Sequence, residues 1–135
     1  VTRHLPGQLV VYLTIDLRRY FTDLNWYLRQ LETVLINVLK DLGLRGDRLD
    51  GLTGIWCQGV KVASIGISCR RWITQHGLSI NVECDLSGFE QIIPCGLEGH
   101  KTGRLSDFLP GLKLEDVRCL LKKHLSQHFG LLWIA

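Results

Sequence analysis

From Leu24 to Leu42 the apolar residues fall at Leu24, Tyr27, Leu28, Leu31, Val34, Leu35, Val38, Leu39 and Leu42. That three-and-four spacing predicts an amphipathic helix with one apolar stripe. Thr22 or Asp23 is placed to cap its start, and Gly43 follows its end. The same spacing returns at Leu114, Val117, Leu120, Leu121, Leu125 and Phe129, predicting a second helix that stops at Gly130. Elsewhere the pattern is that of strands. Leu9 to Ile15, after the Pro6-Gly7 turn, is a short apolar and partly β-branched run. Gly54–Gln58 and Lys61–Arg71 read as strands around a turn at Gly59, and Trp72–Cys84 follows, so consecutive strands favour an antiparallel hairpin. By strict alternation Lys61 shares a face with Ala63, Ile65 and Ile67, and His76 with Trp72, Leu78, Ile80 and Val82. Arg45 to Asp50 is a polar loop. Asp85 to Leu112 reads as one long irregular segment with a brief helical tendency near Phe89. The order strand, helix, strand group, loop, helix predicts an α+β fold, a mixed β-sheet sandwich with helices on one face.

Composition narrows the function classes. A chain of 135 residues is long enough for one domain with a real core. No apolar run reaches the ~18–20 residues of a membrane span. The net charge of +3 carries no basic cluster interleaved with aromatics, so neither nucleic acid nor a membrane is an expected partner. Five cysteines, widely spaced and without a Cys-x-x-Cys pair, indicate neither a disulfide framework nor a metal site. Reduced thiols in a cytoplasmic or organelle-matrix compartment fit that usage. The chain starts at Val1 and has no methionine, so the expectation is a single domain over residues 1–135 whose N-terminal part is missing.

The candidate chemistry lies between Val60 and Gly96. An ammonium in line with apolar residues is costly unless it is paired or used, and a Pro94-Cys95-Gly96 turn can present a thiol. At an ordinary pKa of ~8.5 only about 3% of a thiol is ionised at neutral pH, and a nearby lysine ammonium favours the thiolate. Lys61 with Cys95 therefore suits acyl transfer through a thioester, the amine moving protons. Backbone amides near Gly66, Gly77 or Gly96 would steady the oxyanion. Other readings stand beside this one: Cys95 as a small packing residue, Lys61 snorkelling to water from a strand end, and His76 as a hydrogen-bonded core histidine. Cys57 and Cys119 read as packing residues.

Six blocks in order carry a resemblance: Thr2-x-His4-x-Pro6-Gly7-Gln8, Asp16-Leu17-Arg18-Arg19, Gly51-Leu52-Thr53-Gly54-Ile55-Trp56, Lys61 to Gly66, His76 to Asn81, and Ile93-Pro94-Cys95-Gly96. With them the chain resembles the lipoate-protein ligase B family, the octanoyl-(acyl-carrier-protein)–protein octanoyltransferases, and its wording is most similar to cyanobacterial or plastid members. The resemblance implies a fold similar to biotin and lipoate protein ligase catalytic domains, with neither ATP nor another cofactor. It implies Cys95 as the acyl-thioester nucleophile and Lys61 as the lysine that lowers the thiol's pKa and moves protons. Substrate contacts would come from His4, from Ser64, Ile65 and Gly66, and from His76, Gly77, Leu78 and Ser79. The implied donor is octanoyl-acyl-carrier protein; the acceptors are lipoyl domains of 2-oxoacid dehydrogenases or the glycine-cleavage H protein. Arg3 and Leu5 depart from the family's tyrosine and glycine. The alternative is a catalytically silent truncated relative that at most binds a carrier protein or lipoyl domain.

Overall fold

A computed structural model describes residues 6–83 and 101–130. Strand β1 is Gln8–Tyr12, helix α1 Leu24–Asp41, β2 Ile55–Cys57, β3 Val60–Arg70, β4 Ile73–Asn81, β5 Lys101–Thr102 and helix α2 Leu114–Phe129. Short 3-10 turns occupy Leu17–Arg19 and Leu105–Asp107. The sheet runs β1-β4-β3-β2 with antiparallel neighbours, and β5 lies parallel beside the start of β3. Both helices pack on one face of this mixed sheet, α1 against β2 and β3 and α2 against β1. The predicted α+β arrangement is the observed one.

Helix α1 starts where the sequence offers a cap. The Asp23 carboxylate accepts hydrogen bonds from the backbone N–H of Asn25 and Trp26 at 2.9 and 3.2 Å, satisfying donors that a helix start leaves open. Its apolar stripe, Leu31, Val34, Leu35, Val38 and Leu39, is sealed from solvent. It meets Leu9, Ile55, Ala63, Leu78 and Ile80 of the sheet and Val117, Leu121 and Leu125 of α2 in one core. Burial of that stripe, more than helix propensity, is what holds a helix of this length. A buried carboxylate, Glu32, is held by Arg29 at 2.8 Å and Arg48 at 3.3 Å. Arg48 thereby ties the segment after α1 back onto the helix. From there Asp47 exchanges two backbone hydrogen bonds with Trp56, at 2.8 and 2.9 Å, and so extends the edge of the sheet beside β2.

Several expectations need correction. Lys61 is not in line with Ala63, Ile65 and Ile67. Ile55 pairs with Ala63 but Trp56 with Lys61, so two steps on β3 oppose one on β2, a bulge that breaks the alternation. Val62 and Ala63 are consecutively buried in the core, whereas Trp56, opposite Lys61, is 1% exposed yet outside that core. His76 is not aligned with a buried face either. Its φ is +67° and it is exposed, a left-handed position that histidine tolerates better than most residues. Trp72 belongs to a turn, not a strand: Arg71 and Trp72 both have positive φ and close β3 onto β4, the geometry of the type I′ hairpin. Finally, the segment expected to be irregular contains β5 and the turn at Leu105–Asp107, and Cys119 is exposed on α2 rather than packed.

Candidate active site

On the face away from the helices the two central strands, β3 and β4, carry small residues. Ser64 pairs with Ser79, which pairs with Val10; Gly66 pairs with Gly77, which pairs with Tyr12. These two rows form the floor of a trough of about 580 Å³. Val10, Val11 and Tyr12 border it along β1, Ser64 to Ile67 along β3, and His76 to Ser79 along β4. Ile65 and Leu78 face each other on the helix side, packed with the core, and their main chain completes the floor. Seven of the expected substrate contacts, Ser64, Ile65, Gly66, His76, Gly77, Leu78 and Ser79, thus surround one cavity. His4 and Cys95 lie outside the described residues.

Gly77 is held by its neighbour strand. A Cβ there would collide with the Val11 carbonyl oxygen, an overlap no side chain can accept. Close backbone approach of this kind is a recurrent reason for glycine in a strand. The contact keeps β1 tight against β4 beside the kink at His76. Below it, buried Thr74 accepts from the Ile15 N–H at 2.9 Å and donates to the Leu13 carbonyl at 3.3 Å, so β1 and its continuation stay in register.

Lys61 reaches the same side of the sheet. With Ala63 on the core side and Lys61 switched by the bulge, the lysine shares its face with Ser64 and Gly66. Its ammonium lies 5.4 Å from the centre of the Trp56 ring, within range of a favourable cation–π contact. Its stem crosses Gly54, whose φ is +137°; a Cβ at Gly54 would sit 2.7 Å from the Lys61 Cε and 2.7 Å from the Ala63 oxygen. Gly54 and Trp56 are therefore the lysine's seat. Sequence reasoning did not assign them that role, nor find Val10, Val11, Tyr12 and Ile67 at the trough, because both depend on which strands become neighbours.

The three described cysteines lie elsewhere. Cys57 is buried in the core, and burial followed by the Asp47 charge pushes its thiol up, so it is held protonated. Cys69 stands opposite Thr74, and Cys119 lies 3.8 Å from Glu115 on an exposed helix face. Among the described residues, no group of three histidine, cysteine or acidic side chains is close enough to hold a metal ion, and no helix is long and apolar enough to cross a membrane.

The family description "Lipoyl protein ligase A/B catalytic domain" matches residues 1–126. The chain belongs to this family. Within the lipoyl protein ligase A/B family, an octanoyltransferase of Prochlorococcus marinus is 68% identical over 134 residues, covering 99% of this chain. That of Synechococcus sp. strain CC9902 is 60% identical, again over 99% of this chain. The chain spans 60% and 58% of the length of these two relatives. Solved structures of lipoate and biotin protein ligases share the fold. The bipartite lipoate protein ligase of Thermoplasma acidophilum superposes with a TM-score of 0.73 at 17% identity, covering 96% of this chain and 54% of that one. The biotin protein ligase of Aquifex aeolicus gives 0.70 at 15% identity, covering 92% and 53%. For a lipoyl protein ligase A/B domain, the trough occupies the sheet face that both helices leave uncovered.

Proposed function

We propose that the protein is a cytoplasmic octanoyltransferase of lipoate biosynthesis, working through a thioester on Cys95. The Cys95 thiolate attacks the thioester carbonyl of octanoyl-acyl-carrier protein, and the carrier's thiol leaves with a proton. The acyl group now sits on Cys95. The lysine amine of a lipoyl domain, or of the glycine-cleavage H protein, then attacks that carbonyl, forming the amide and releasing the Cys95 thiol. Lys61 is the group that passes protons in both halves, and its charge favours the thiolate before attack. The acyl chain lies along Ser64, Gly66, Gly77 and Ser79, with His76 at the border, and His4 is a further substrate contact that the family resemblance implies. Neither ATP nor a metal takes part, because the donor is already activated.

The observation that carries this reading is the bulge. It removes Lys61 from the core side and sets it, over Trp56, on the face that holds the trough. The test is intact-mass analysis of the full-length protein after incubation with octanoyl-acyl-carrier protein. One octanoyl group should be gained, be lost on addition of a lipoyl domain, and be absent from the Cys95→Ser variant. A wild-type protein that gains no acyl group, or a Cys95→Ser variant that gains the same one, overturns the reading. The first result would leave a relative that only binds its carriers.

A further inference from the structure

Two glycines face each other in the floor of the trough, and among the described residues only one meets a structural reason to be glycine. Gly77 must lack a side chain because the Val11 carbonyl oxygen occupies the place of its Cβ. Gly66 has no such constraint. Its φ lies outside the left-handed range, and a Cβ built on it meets no atom within 4 Å. It is exposed, in the middle of β3, where a glycine costs about 0.5–1 kcal/mol relative to alanine. Nothing in the fold among the described residues asks for that cost. The space above Gly66 is the trough itself.

We propose that Gly66 sets the length of acyl chain the trough accepts, its missing side chain leaving room for the far end of a medium chain. The placement along β3 agrees. Gly66 is five residues beyond Lys61, about 16 Å along an extended strand, and the lysine stem spans part of that distance. A chain whose carbonyl is held near the Lys61 ammonium therefore passes Ser64 and Ser79 first and ends over Gly66 and Gly77. A side chain at position 66 would close the trough behind the first few carbons and leave the reacting end unchanged.

This inference rests on the acyl-transfer reading, and the experiment separates the two. Full-length wild type, Gly66→Ala and Gly66→Val are compared with butanoyl, hexanoyl and octanoyl donors on acyl-carrier protein. In Gly66→Val the octanoyl-to-butanoyl ratio of kcat/KM should fall at least about tenfold, a size discrimination within the range that apolar pockets achieve. Gly66→Ala should shift it in the same direction by less, with a thermal midpoint no lower than wild type. A ratio unchanged within about twofold, in a wild type that transfers octanoyl, overturns the inference and leaves the reading intact. If the wild type transfers nothing, calorimetric binding of octyl and butyl pantetheine thioethers decides. Selective loss of octyl affinity in Gly66→Val upholds the length gauge while the transfer reading falls. Equal loss, or no binding by the wild type, overturns the length gauge as well.

Discussion

On the helix side of the sheet, Leu9, Ile55, Ala63, Leu78 and Ile80 are nearly closed to solvent and packed against α1 and α2. On the other side the same strands present Ser64, Gly66, Gly77 and Ser79, with Val10 and Tyr12 at the border. The first face is filled by bulk and buried by helices. The second is kept shallow by the absence of bulk, which a stability argument alone does not explain, since serine and glycine gain little from packing there. The difference teaches that one face carries the fold, while the other is left open as the trough where the proposed acyl chain would lie. The bulge at Val62 connects them, because it lets one strand bury Val62 and Ala63 in succession and still deliver Lys61 to the ligand side.

The comparison can be broken most sharply at Gly77. Gly77→Ala drives a methyl group into the β1 backbone and should cost at least about 3 kcal/mol in chemical denaturation, or prevent folding. Gly66→Ala, directly opposite, should remain within about 0.5 kcal/mol of wild type or be more stable. Equal costs at the two positions would show that the trough floor is structural throughout. A smaller effect is expected at Gly54, where alanine meets a left-handed backbone, the Ala63 carbonyl oxygen and the Lys61 stem. Gly54→Ala should cost about 1–3 kcal/mol and slow octanoyl transfer at least about tenfold through displacement of the amine. Transfer at the wild-type rate would remove Gly54 from the seat of Lys61.

The smallest effect belongs to the helix layer, far from the trough. Asp41, at the end of α1, lies 2.6 Å from the His124 Nε2 of α2. The His124 hydrogen bond, and the positive charges of His124, Lys123 and Lys40, hold the Asp41 carboxyl below its ordinary range. A depressed carboxylate contributes stability above its unfolded pKa of ~3.9 and loses it as the pH falls through the folded value. Asp41→Asn should therefore lower the thermal midpoint slightly at neutral pH, with the difference vanishing under strongly acidic conditions. Transfer activity should be unchanged. A difference that persists in acid would point to packing and not to charge.

Much of the helix layer was legible before any coordinates. Both helices begin and end within a residue or two of the places marked by their spacing and by Asp23, Gly43 and Gly130. The sheet was legible in its strands but not in its irregularities. A period-two pattern through Lys61 looks the same whether or not Val62 is bulged, since the bulge is a property of the pairing with β2. The Arg71-Trp72 turn carries none of the asparagine or glycine that usually marks such a hairpin, and β5, two residues long, is too short to leave a pattern. Apart from Ile67, the trough residues of β3 and β4 were reached by resemblance, while Val10, Val11 and Tyr12 could not be, because β1 meets β4 only across a long stretch of intervening sequence. Lys61 was singled out for being out of place among apolar neighbours. It proved to be on the other side of the strand, the face that carries the trough.

The most direct test is a crystal structure of the full-length protein trapped with an octanoyl group on Cys95. The acyl chain should lie over Ser64 and Ser79 and end above Gly66 and Gly77, with the Lys61 ammonium within hydrogen-bonding reach of the Cys95 sulfur. An acyl chain found outside the trough, or a Cys95 sulfur separated from Lys61 by packed protein, would contradict the account.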